Sequence, residues 1–249
     1  MTASVPKLDP LPLGRGVRML SRVAPGVRAV TRQIQPYTRW WNDQNQMAAR
    51  GDGPLLVVVG DSTAIGIGAS APERGYVGRL RDHMRRQHHE GWRVVNLALS
   101  GARVSDAIDR QIPIIERLQP DLVICCVGTN DVVWERQTGL RARLHQLAGG
   151  LPSGSHFSTL AGSSDRARAA NRAIHHAARS HGLHLVNPWE EPGPPPRERL
   201  ARDWFHPNDT GHELMARAFS RNLTAAVPGP GFGNNGSEGS VPERGAGPN

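Results

Sequence analysis

Lysine is almost missing from this chain: Lys7 is the only one, so nearly all of its 30 basic side chains are arginines. Cysteine is scarce too, with Cys125 and Cys126 adjacent in an apolar run. Neighbours on a strand point to opposite faces, so this pair reads as two reduced core residues and not as a bridge or a metal pair. A disulfide scaffold is excluded, and a chain of 249 residues can bury roughly 70% of its unfolded surface without staples or a metal. Aromatic residues make up only 5% of the sequence, whereas a single-strand nucleic-acid binder interleaves stacking rings with its cations. The arginines are scattered, with no run longer than the pair Arg85–Arg86. The net charge of +8 is therefore read as arginine-rich composition, and no nucleic-acid partner is expected. Apolar runs such as Leu55–Val59 fall far short of the ~18 residues of a membrane span. Pro12, Gly14 and Arg15 interrupt any signal-peptide layout, which sets the expectation of a cytoplasmic protein.

Three regions differ in composition. Residues 1–53 are basic, with Val17, Leu20, Val23, Val27, Val30 and Ile34 spaced by three or four, as in an amphipathic helix. Pro25 and Gly26 should break or kink it. A helical extension packed on the main domain is expected, with peripheral contact to a membrane surface as the other use of such a segment. Residues 54–226 carry short apolar runs at Leu55–Val59, Val94–Leu97, Leu122–Val127 and Leu183–Val186, and a weaker strand candidate at Leu147–Leu151. Helical patterns cover Tyr76–Gln87, Val104–Leu118 with Pro113 inside it, Ala167–Ser180, and Thr210–Leu223 opened by Thr210 and Glu213 in capping-box spacing. Apolar strands alternating with helices predict an α/β sandwich with a mainly parallel central sheet. Residues 227–249 are rich in Gly and Pro and are expected to be disordered.

In an open α/β sheet, ligands bind beyond the carboxyl ends of the strands. Gly60-Asp61-Ser62-Thr63 follows the first run, Ala98-Leu99-Ser100-Gly101 the second and Gly128-Thr129-Asn130-Asp131 the third. Asp203-Trp204-Phe205-His206 precedes the last helix. One hydroxyl, one imidazole, one carboxylate and several amide donors are the parts that acyl transfer needs. Histidine titrates near neutrality and can take a serine proton. A carboxylate holds the imidazole in the right tautomer, and Asp203 and His206, three apart, meet within one turn. The N–H groups of Ser62 and Gly101 and the amide of Asn130 are candidate oxyanion donors.

These four blocks resemble the SGNH hydrolase superfamily, the GDSL-type esterases and lipases. The resemblance implies a three-layer α/β/α, flavodoxin-like fold with Ser62 as nucleophile, Asp203 and His206 as the acid–base pair, and Gly101 and Asn130 in the oxyanion hole. It also implies no metal and no other cofactor. Thr63 stands where many members carry Leu, and Ala98 where Gly is frequent. The expected function is serine-dependent hydrolysis of small-molecule carboxylic esters of short acyl, acetyl-sugar or lysophospholipid type, by a monomer. An acyltransferase using the same serine, or a non-catalytic carbohydrate- or lipid-binding module, are the alternatives. Trp134 is a candidate for the acyl pocket or for the core. Asp61 and Asp131 are read as loop-holding residues and His212 as a first-turn helix residue. His83, His88, His89, His175, His176, His181 and His184 lack metal-ligand spacing and are read as solvated helix-face or loop residues. Gly66-Ile67-Gly68 with Ala71 echoes a dinucleotide fingerprint, but lies too far past Val59 and lacks the acidic partner.

Overall fold

A computed structural model describes residues 5–87, 91–134 and 139–226. The tail 227–249 and the residues His88 and His89 lie outside the described residues. Five strands form one sheet: β1 (Leu55–Gly60), β2 (Arg93–Asn96), β3 (Leu122–Cys126), β4 (His156–Ser158) and β5 (His184–Val186). Every pairing is parallel and the order is β2-β1-β3-β4-β5. The central strands β1 and β3 are buried along their whole length, as a parallel sheet covered on both faces requires.

Alternation along β1 splits the core in two. Val57 and Val59 join the layer of Ile115, Leu144 and Ile174. Leu56 and Val58 face Tyr37, Leu80, Met215 and Phe219. The first layer holds α7 (Ile112–Leu118), α9 (Leu140–Gly149) and α10 (Asp165–Ser180); the second holds α3 (Ile34–Arg50), α5 (Tyr76–Gln87) and α11 (Asp209–Ala226). Cys125 and Cys126 fall on opposite faces, both free and buried. This is the three-layer α/β/α sandwich, with a sheet that is parallel throughout. Among the described residues no helix is long and apolar enough to cross a membrane.

Several boundaries correct the sequence reading. The strand expected at Leu147–Leu151 is instead the end of α9. Leu144, Leu147 and Ala148 are buried at helical spacing, and the strand follows at the short, polar-flanked His156–Ser158. Helix α11 is not capped by Thr210 and Glu213: it begins at Asp209, and the Asn208 side chain accepts from the Gly211 N–H at 3.0 Å. The pattern over Val104–Leu118 divides into α6 (Val104–Asp106), a π-helical turn Ala107–Gln111, and α7. Pro113 cannot donate to the residue four before it, which favours the wider turn there.

Before the sheet, α1 (Arg15–Val23) and α2 (Pro25–Thr31) are separated at Ala24, with Pro25 starting the second helix as its fixed φ favours. Helix α3 is tied to the domain by the side chains of Asn45, Trp41 and Tyr37. Asn45 exchanges hydrogen bonds with the Asn96 backbone, both at 2.8 Å. Trp41 Nε1 donates to the Ile65 carbonyl and the Tyr37 hydroxyl to the Ala69 carbonyl, each at 2.9 Å.

Candidate active site

Strand β1 ends at Gly60 and delivers Asp61 and Ser62 to a short helix, α4 (Ser62–Ile65). The Asp61 carboxylate caps α4 by accepting from the Thr63 N–H at 2.9 Å. The capping task therefore falls to Asp61, and the Ser62 hydroxyl is left for another partner. That partner is His206: the two lie 2.9 Å apart between Oγ and Nε2, in the sense of a hydroxyl donating to the ring nitrogen. On its other side, Nδ1 of His206 stands 2.6 Å from Asp203 Oδ2. The Asp203 Oδ1 accepts from the backbone N–H groups of Phe205 and His206 at 3.2 and 3.1 Å.

The loop carrying this pair is closed at its base by the Ala201 N–H donating to the His206 carbonyl at 2.8 Å, beside a bridge between Leu200 and Pro207. Trp204, at φ +57, makes the reversal that brings Asp203 and His206 side by side. The Phe205 ring stands edge-on to the His206 imidazole, centroids 4.9 Å apart. Burial pushes the Asp203 carboxyl up, but the hydrogen bonds and attraction from His206 and the two backbone donors outweigh it. The group is held below the ordinary carboxylate value and so stays ionised at neutral pH. Burial has the upper hand at Asp61, which rises to about 6 against the opposing Thr63 N–H.

Two further candidates face the same cavity, since Gly101 and Asn130 line it with Ser62, Asp203 and His206. After β2 the chain turns at Leu99–Ala102, closed by the Ala102 N–H to the Leu99 carbonyl at 3.0 Å. Gly101 sits in this turn at φ +81, where L side chains are strained. No atom comes within 4 Å of the place its Cβ would occupy, so the backbone there stays open to a ligand. Asn130 opens α8 (Thr129–Trp134), and one N–H of its amide donates to the Ala102 carbonyl at 2.9 Å. The second N–H is the one a ligand oxygen could take. Asp131 fixes the neighbouring loop by accepting from the Val104 N–H at 3.0 Å. Trp134 ends α8, and its side chain lies outside the described residues.

His212 lies in the first turn of α11, as the sequence suggests, but it is fully buried. Its Nδ1 accepts from the Tyr76 N–H at 3.3 Å, and Nε2 donates to the Ile67 carbonyl at 3.1 Å. His184 is exposed on β5, a strand position and not a helix face or loop. His156, which the sequence reading passed over, is buried on β4. Also missed was Gln111, buried in the π turn with its amide against the Gly60 backbone. A buried Gln within a helical pattern was the available signal. Among the described residues no cluster of three or more His, Cys, Asp or Glu side chains could hold a metal.

Comparison with known proteins shows the family. The model of the GDSL-like lipase/acylhydrolase family matches residues 58–214, a span that includes Ser62, Gly101, Asn130, Asp203 and His206. Among solved structures, TesA is similar at TM-score 0.62 and 21% identity, over 70% of this chain and 99% of that one. LAE5, an alpha/beta hydrolase enzyme from the metagenome of Lake Arreo, Spain, is 26% identical at TM-score 0.56, over 72% of this chain and 98% of its own. Axe2, an acetylxylan esterase from Geobacillus stearothermophilus, is 24% identical at TM-score 0.54, over 70% of this chain and 95% of its own. No curated protein matches the sequence. With the family model spanning more than half of its length, this chain belongs to the GDSL-like lipase/acylhydrolase family, as an ester-hydrolysing enzyme of the SGNH type.

Proposed function

We propose that the protein hydrolyses carboxylic esters through an acyl-enzyme formed on Ser62. The unbroken line from Asp203 Oδ2 through the His206 ring to Ser62 Oγ, at 2.6 and 2.9 Å, carries this reading. Both distances lie within ordinary hydrogen-bond range, so no rearrangement is needed before proton transfer.

Ser62 Oγ attacks the ester carbonyl carbon while its proton passes to His206 Nε2. The carbonyl oxygen becomes an oxyanion, stabilised by the N–H groups of Ser62 and Gly101 and by the free N–H of Asn130. Asp203 stays ionised, accepts a hydrogen bond from Nδ1–H and stabilises the imidazolium without taking its proton. Collapse breaks the bond to the alcohol oxygen, which leaves with the proton from His206. A water then gives a proton to His206 and attacks the acyl carbon. The second tetrahedral intermediate expels Ser62, which recovers its proton, and the acid is released. Every atom of ester and water is accounted for, and the reaction takes a small-molecule ester as its only organic partner.

Replacing Ser62 or His206 by Ala should lower turnover of a p-nitrophenyl ester by a factor of at least ~10^4. Substantial activity in either variant, with the fold intact, would reject the assignment.

A further inference from the structure

We infer that α1 and α2 form an acyl-chain groove over the catalytic residues, and that the substrates are esters of medium-length, unbranched acyl chains. The inference rests on the reading of Ser62 as the acylated serine and goes further by naming what the acyl pocket is made of.

A cavity of about 280 Å³ opens at Ser62 and His206. Its far wall is made by Val17 and Leu20 of α1 and Val27 and Val30 of α2, which precede the sandwich, and by Ile34 at the start of α3. Phe205 and Ile67 close it from the domain side. The volume is just below the ~300–1,000 Å³ of typical small-molecule pockets, which suits one alkyl chain better than a branched lipid or a polysaccharide. Apart from Thr31, the polar residues lining it are those grouped at the catalytic end: Ser62, Ser100, Asn130, Asp203 and His206. Sugar hydroxyls lying along the rest of the groove would lose water without gaining partners; methylene groups incur no such penalty.

Helix α1 is strongly amphipathic, yet none of its residues is buried. Leu20, which lines the cavity, is still 44% exposed. Its charged side is turned outward, with Arg15, Arg18 and Arg22 all exposed. Val17 and Leu20 thus face a space and not a packed core, and an acyl chain filling that space would cover them.

The helices are nevertheless registered against the catalytic loop. A Cβ on Gly26 would lie 2.0 Å from the Arg202 carbonyl oxygen and 3.1 Å from the Asp203 nitrogen, so α2 rests directly on the backbone that carries the acid and the histidine. Helix α1 is held to α2 by Arg28, whose Nε donates to the Ser21 carbonyl at 3.1 Å. All of this wall up to Ile34 precedes residue 58, where the family match begins. The helical wall of the groove lies outside the part of the chain that the family model matches.

The test compares kcat/KM for p-nitrophenyl octanoate and acetate, using the full-length protein, with Ser62→Ala as control. The inference predicts a preference for octanoate of at least ~100-fold, from the burial of six further methylene groups. Val17→Trp should fill the groove and reduce the octanoate-to-acetate ratio by ~10-fold or more, with Val27→Trp giving the same result from the other helix. Melting curves show which variants fold, and the wild-type ratio is decisive in either case. A Ser62-dependent acetate activity equal to or above that on octanoate overturns the groove and leaves the nucleophile standing. So does a ratio unmoved in both folded variants. Hydrolysis of both esters that survives Ser62→Ala, or none at all, overturns both.

Discussion

The side-chain amide of Gln111 grips the backbone of Gly60 from both sides, accepting from its N–H and donating to its carbonyl, each at 2.9 Å. Gln111 is fully buried in the π-helical turn, and Gly60 is the last residue of β1, two positions before Ser62. The π turn therefore fixes the point at which the strand releases the chain toward the serine.

Gln111→Leu keeps the approximate volume but removes both hydrogen bonds. A buried polar group that loses its partner costs ~1–3 kcal/mol, and each kcal/mol lowers the melting temperature of a domain this size by ~2–4 °C. The variant should melt several degrees lower and show a reduced kcat, read from thermal unfolding and ester turnover. A wild-type melting curve with wild-type turnover would show that the amide does not position Ser62.

Asn130→Ala should separate transition-state stabilisation from folding. The loss of one oxyanion donor costs ~2.7–4 kcal/mol, so kcat should fall by ~10²–10³. The bond to the Ala102 carbonyl is lost as well, worth only ~1 kcal/mol of stability. Steady-state kinetics with a melting curve check both. A kcat within a few-fold of wild type would remove Asn130 from its assigned role.

Acid should destabilise the fold partly through His212. Burial drives its pKa down to about 4, well below the usual 6.5. Its Nδ1 also faces the Tyr76 N–H, a donor that leaves no room for a second proton. Between pH 6.5 and about 4 the unfolded chain binds a proton at this site that the folded chain refuses, so stability falls as pH drops through that window. The loss amounts to about 3 kcal/mol when complete. His156, also lowered to about 4 by burial, acts in the same sense. Asp61, raised from 3.8 to about 6, acts oppositely, because the folded state there holds a proton the unfolded chain releases. Denaturant unfolding at pH 7 and pH 4.5 should therefore show a smaller acid-induced loss for His212→Gln than for the wild type. Equal losses would contradict a buried neutral His212.

The layer order and the site were readable for different reasons. Long apolar runs such as Leu55–Val59 and Leu122–Val127 announce buried parallel strands without help from their surroundings. β4 does not: His156–Ser158 is three residues long, and its burial comes from the helices around it, so local sequence favoured the wrong segment at Leu147–Leu151. Asp203 and His206 were legible because their partnership is local. The meeting of Ser62 with His206, 144 positions apart, was legible only through the order of the four blocks. Val17 and Leu20 showed their helical spacing but not their destination, since the amphipathic pattern states that an apolar face exists and not which surface it covers. Gln111 was hidden for a related reason: a polar residue on a helix gives no local sign of the strand end it will hold.

The most direct test of the central claim is to treat the protein with a fluorophosphonate and locate the adduct by mass spectrometry of its peptides. The expected result is a single phosphonyl group, on Ser62, forming rapidly in the wild type and lost in His206→Ala. A label on another residue, or equally rapid labelling without His206, would contradict the Ser62–His206–Asp203 assignment.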